Sequence, residues 1–294
     1  MRPLTDEQMR YASAASGVPL LLMPLIAACA ASVPLEQAGL LSSYQQLAAS
    51  SGVLTQAQVS VDSDRILAAK TVRIIPTSLS TAVAEAKLSE AQLRLIANAV
   101  DRALCTGLSD RFQIVSSAQA ADLTVHAFIT RIIPTDETAA AASKVAWVAT
   151  SVATAVTVVP VPMPSLRIPI GLGGLALEAE AVDRTGSQKA AMVWARGADS
   201  LTSRPRMSPA GDAYDLAASF GADFSKLLVT GASPFKTLPS PPSMQRVGSL
   251  LGGAPKESAC EAFGRGPGVA GLVGSAIGLP PEWTDKGAQV EPKR

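Results

Sequence analysis

Residues 175–182 read Leu-Ala-Leu-Glu-Ala-Glu-Ala-Val, and residues 123–133 read Leu-Thr-Val-His-Ala-Phe-Ile-Thr-Arg-Ile-Ile. Leu123, Val125, Ala127 and Ile129 recur at every second position, as do Leu175, Leu177, Ala179 and Ala181. On a pleated strand that period sends the whole set to one face. Two strands of this kind demand a sheet with an apolar side, and that side must be buried under another layer. Glu178 and Glu180 fall on the opposite side, where a solvated sheet edge is expected. Asp183-Arg184-Thr185-Gly186 supplies a turn, and Lys189 to Ala198 returns as the hairpin partner.

The covering layer is legible too. Ser89-Glu90-Ala91-Gln92 is a capping-box pattern that opens a helix. Leu93, Ile96, Ala97, Val100 and Leu104 follow on one helical face, with Gly107 as the stop. Residues 212–228 predict a second helix with Ala213, Leu216, Phe220, Phe224 and Leu227 inward. Shorter strands are expected at 70–77, closed by Pro76, and at 111–117. The order is β-α-β-β-(apolar excursion)-β-β-α. It predicts an α+β fold, a largely antiparallel sheet with two helices on one face, plus a Gly/Pro-rich tail. The expected divisions are a leader over 1–28, a tether and lead-in over 29–69, the domain over 70–231, and the tail over 232–294.

Residues 18–28 carry no charge and end in Ile26-Ala27-Ala28, with Cys29 next. Such a core is too short to span a bilayer as a mature helix, and fits a signal peptide. The small residues before the cysteine resemble the lipobox of bacterial lipoproteins. The resemblance implies cleavage before Cys29, acylation of its thiol, and membrane attachment by lipid in place of a spanning helix. Ala30, where some lipoproteins carry aspartate, implies sorting to the outer membrane, facing the periplasm.

Composition narrows the chemistry. Lys and Arg number 25 against 24 Asp and Glu, so no basic field exists to hold nucleic acid. Three cysteines and one histidine provide no short-spaced metal ligand set, and no cofactor motif is present. Any Ser-His-Asp or Cys-His mechanism would pass through His126, which has no nucleophile or orienting carboxylate spaced near it. His126 is therefore expected to be an ordinary strand residue, and a hydrolase reading ranks last. Once Cys29 is acylated, Cys105 and Cys260 remain as a candidate disulfide in an oxidising compartment; two unpaired thiols are the alternative.

Two apolar stretches lie outside the predicted elements. Val145 to Met163 is uncharged and bounded by Lys144 and Arg167. Its hydroxyl residues and Pro160, Pro162 and Pro164 favour a packed or interfacial helix over a true span. The Gly-rich run 264–278 lacks the strand and lysine of a phosphate loop, so a flexible tail with a short apolar docking piece is expected there.

Several stretches resemble one family. Gly39-Leu40-Leu41-Ser42-Ser43-Tyr44 is similar to its Gly-Phe-Leu-Ser-Asp-Tyr lead-in, with Ser43 among the departures. Val72 to Pro76 resembles its first strand, and the stretch Glu178 to Gly186 is similar to its hairpin turn, Asp-Ser-x-Thr-Gly. The family is the bacterial lipoproteins of the domain of unknown function 3313, and the resemblance covers roughly residues 35 to 230. It implies compartment and fold and carries no catalytic residues. The expected function is a non-enzymatic binding or scaffolding component of the envelope, anchored to the membrane. Its partner would be an envelope protein or peptidoglycan. The alternative is an oligomeric, membrane-inserting export or pore component.

Overall fold

A computed structural model describes residues 30–143, 167, 169–236 and 243–288. Cys29, the excursion Val145 to Met163 and the prolines at 239–242 lie outside the described residues.

The strands are β1 (Ala48–Ala49), β2 (Thr55–Val61), β3 (Thr71–Ile74), β4 (Ser78–Leu79), β5 (Gln113–Ile114), β6 (Leu123–Ile133), β7 (Gly174–Asp183) and β8 (Gln188–Gly197). They form one open sheet in the order β1-β2-β8-β7-β6-β3-β5, with β4 also on β6. The long pairings β2–β8, β8–β7 and β7–β6 are antiparallel. Only the β3, β4 and β5 pairings at one edge are parallel. The helices are α1 (Ser63–Ala68), α2 (Glu90–Leu108), α3 (Gly211–Thr230), α4 (Met244–Leu250), α5 (Gly268–Ile277) and α6 (Pro281–Thr284). Short 3₁₀ turns occupy Thr81–Ala86 and Ser258–Phe263, and residues 137–143 are helical. The expected α+β class and mostly antiparallel sheet are what the chain forms.

The inward residues of β6 and β7 behave as their period demands. Leu123, Val125, Ala127 and Ile129 are buried in the main core with Leu175, Leu177, Ala179 and Ala181. A register shift between Ile129 and Arg131 then turns Ile132 inward. Helices α2 and α3 cover this face. Ser89 and Gln92 close the capping box that starts α2, with Gln92 N–H donating to Ser89 Oγ at 3.2 Å and Ser89 N–H to Gln92 Oε1 at 3.0 Å. On α3, Phe220 meets Trp194 of β8 edge-on at 5.7 Å, and Trp194 Nε1 donates to Asp223 Oδ2 at 2.9 Å. At Gly221 a Cβ would collide with the Cβ of Ala103, so the two helices approach as closely as they do because that position is bare.

Three expectations are corrected. Residues 30–69 are not a tether: they hold β1, β2 and α1, and residues 33–47 lie along the sheet face away from the helices. Ser, Ala and Gln dominate this stretch, so its apolar contacts are too sparse to register as a period. The described part of the tail, 243–288, is folded as α4, α5 and α6 against α2 and α3, because side-chain bonds and a disulfide offset its glycine content. Glu178 and Glu180 do not line a solvated edge. They are 0% and 6% exposed, since the lead-in covers them.

Candidate functional site

The outer sheet face is closed by a carboxylate clamp. Glu178 accepts from Ala38 N–H at 2.7 Å, Leu40 N–H at 3.1 Å and the Tyr44 hydroxyl at 2.7 Å. Glu180 accepts from Ser42 N–H at 2.8 Å, from the Ser42 hydroxyl, and from Gln188 Nε2 at 2.7 Å. Leu41 and Tyr44 pack over Ala191 and Val193, while Val33 packs over Ala176 and Ala195. Each buried carboxylate is stabilised by charge-assisted donors from a segment more than a hundred residues away in sequence. The Gly-Leu-Leu-Ser-Ser-Tyr motif thus has a mechanical meaning: its backbone and hydroxyls fasten the lead-in across β7.

His126 sits on this face of β6, half-buried, with Glu180 its cross-strand neighbour and its ring 6.4 Å from that of Phe128. The Glu180 oxygens are taken by Ser42 and Gln188. The structure therefore places His126 beside the clamp. Among the described residues no group of three or more His, Cys, Asp or Glu side chains is placed to hold a metal ion. No helix among them is long and apolar enough to cross a membrane.

The opposite side of the molecule carries a cavity of about 430 Å³. Its floor is built from small residues four apart: Ala99, Ala103 and Gly107 on α2, and Ala218 and Ala222 on α3. Its roof is the C-terminal segment, including Leu250, Gly264 to Gly268, Gly271 and Leu272. The roof is held by dispersed bonds. Cys105 and Cys260 are disulfide-bonded, with Cα atoms 5.8 Å apart. Asp285 takes a bidentate pairing from Arg102 and a hydrogen bond from the Tyr214 hydroxyl at 2.5 Å. Glu282 accepts from Gln92 Nε2 at 2.8 Å and Ser208 Oγ at 2.7 Å. Asn98 Nδ2 donates to the Phe263 carbonyl at 2.9 Å, and Ala288 N–H donates to Asn98 Oδ1 at 3.0 Å.

One end of the cavity is polar. The Arg206 guanidinium meets the Asp215 carboxylate through Nε and Nη2, each at 2.9 Å, and lies over the Tyr214 ring at 5.3 Å. Burial, with Asp285 alongside, pushes the Tyr214 phenol above its ordinary range, so it stays a donor at every physiological pH. The cavity therefore offers apolar walls with fixed polar groups at one end, the usual make-up of a pocket for an apolar group. In the sequence, the small residues at 99, 103 and 107 hint at this floor. The Arg102–Asp285 pairing, 183 positions apart, leaves no local trace.

Comparison with solved structures places a PelC dodecamer from Paraburkholderia phytofirmans in space group P6 at 10% identity, covering 60% of this chain and 98% of that one, with a TM-score of 0.33. A singly substituted PelC dodecamer in space group C2 lies at 9% identity, the same coverage and a TM-score of 0.34. No curated protein matches. The C-terminal roof lies beyond the residues shared with the family, which begin at the clamped lead-in and end within α3. The chain belongs to the family described as Protein of unknown function (DUF3313), whose model matches residues 36–224.

Proposed function

We propose that this chain is a lipid-anchored component of the cell envelope that acts by binding rather than by catalysis, with the roofed cavity as its binding element. The observation that carries the reading is the distribution of chemistry. Glu178, Glu180, Asp285 and Glu282 hold segments in place, while the cavity of about 430 Å³ presents mostly small apolar side chains. The leader ending at Cys29 supports the envelope address. A protein partner or a peptidoglycan-linked group would occupy this cavity, whose lining includes Thr106 and Leu272, the latter 41% exposed.

A photo-crosslinking residue placed at Leu272 in cells tests this. The expected result is one discrete adduct that disappears when Thr106→Trp fills the cavity. An absence of adduct, or an adduct indifferent to filling, contradicts the reading.

A further inference from the structure

The first described residue is already part of the fold. Ala30 bridges Asp199 antiparallel, and Ala31 N–H donates to the Ala198 carbonyl at 2.9 Å. Gly197 is bare there of necessity, since a Cβ would strike the backbone of Ala31. Cys29 is one peptide unit away, about 3.8 Å between Cα atoms. A lipid on Cys29 consequently leaves no tether between bilayer and domain.

Described residues on both sides of the excursion in sequence meet at the same end of the sheet. Ile133, the last residue of β6, pairs with Gly174, the first of β7, and Gly174 pairs with Gly197. Both roots of the excursion are fixed here: Asp136 N–H donates to the Gly171 carbonyl and Arg167 N–H to the Ser200 carbonyl, each at 2.9 Å. Buried Arg167 also pairs with Asp212 at the start of α3, at 2.5 and 2.9 Å. Asp136 and Arg167, on either side of the apolar stretch Val145 to Met163 in sequence, thus both lie at the end nearest Ala30. Exposed at the same end are Val53 in the β1–β2 turn, Ile170 and Leu201, at 83%, 66% and 39%. The carboxylate of Asp136, also there, is engaged by the N–H groups of Thr138 and Ala139. The far end carries the hairpin, where Arg184 pairs with Asp122 at 2.8 Å and Lys189 with Asp183 at 3.3 Å, together with exposed Leu67, while Arg131 pairs with Glu36 at 2.6 Å toward the near end. With a rise of about 3.3 Å per residue, β7 separates the two ends by about 30 Å.

We propose that the sheet end bearing Ala30, Ile170 and Leu201 rests directly on the lipid bilayer, with the Asp183–Ser187 hairpin pointing away from it. The proposal rests on the lipid anchor at Cys29. The short covalent link at this end orients the domain, and the apolar side chains of Val53, Ile170 and Leu201 beside it add contact.

The test uses the full-length acylated protein in vesicles of phosphatidylethanolamine and phosphatidylglycerol containing a headgroup nitroxide. A thiol-reactive fluorophore is attached through Leu201→Cys, Ile170→Cys or, at the far hairpin, Thr185→Cys. The expected result is strong quenching at positions 201 and 170 and none at 185. Two labelled positions at the bilayer end guard against one variant misfolding. Equal quenching at all three, or stronger quenching at 185, overturns the orientation while the anchor stands. A mass spectrum of the same sample showing unmodified Cys29 overturns the anchor reading, and the orientation falls with it.

Discussion

Glu178 is buried and takes three hydrogen bonds from the lead-in. Replacing it with alanine removes the common acceptor of three half-buried or exposed donors and leaves a void beneath the lead-in, a loss of about 2 kcal/mol. Urea unfolding of Glu178→Ala is expected to show that loss, with earlier proteolysis between residues 33 and 47; an unchanged midpoint would deny the clamp. Asp101 is the second residue with a distinct signature. Burial raises its carboxyl from 3.8 to about 6, against the hydrogen bonds from Thr77 that favour its charged form. Folded chains thus bind this proton more tightly than unfolded ones. The associated stability is full below pH 4 and declines as pH rises through about 6, by about 3 kcal/mol in total. Asp101→Asn is expected to flatten that decline, because both Thr77 bonds reach Oδ1, which asparagine keeps. A pH series of melting curves checks it. Neither residue was legible as such. Alternation put Glu178 on the correct face of β7, yet the period of a strand says nothing about what lies over that face.

At the scale of elements, the capping box, the face of α3 and the length of β6 follow directly from residue spacing, because each is decided by neighbours a few positions apart. Strand β2 does not. Its sequence Thr-Gln-Ala-Gln-Val-Ser-Val alternates with alanine and valine alone, and its burial comes from pairing with β8, some 130 positions later. The C-terminal roof escaped for a similar reason: α5 reads Gly-Val-Ala-Gly-Leu-Val-Gly-Ser-Ala-Ile, which gives the helix little propensity of its own. Contacts with α4 and α6 hold it, and the Cys105–Cys260 disulfide closes a span of 155 residues. Reduction is expected to cost about 4 kcal/mol. Limited proteolysis with and without dithiothreitol should show the roof cleaved first, between 243 and 288, with the sheet intact. Simultaneous loss of roof and sheet would contradict the view of the roof as a separately fastened layer.

On the scale of the whole molecule, an open, mostly antiparallel sheet is covered on one face by helices and on the other by its own lead-in, with a second helical layer enclosing a cavity. The fold class was readable because two long alternating strands and two amphipathic helices suffice to define it. The cavity was not, since its walls come from segments that meet only in three dimensions. What binds the account together is the modification expected at the start of the mature chain, one residue before the first bridge of the fold. Intact-mass analysis of the native protein measures this directly. The account predicts a chain beginning at Cys29 and carrying a diacylglyceryl thioether, with residues 1–28 absent. A retained leader, or an unmodified thiol at Cys29, would contradict it.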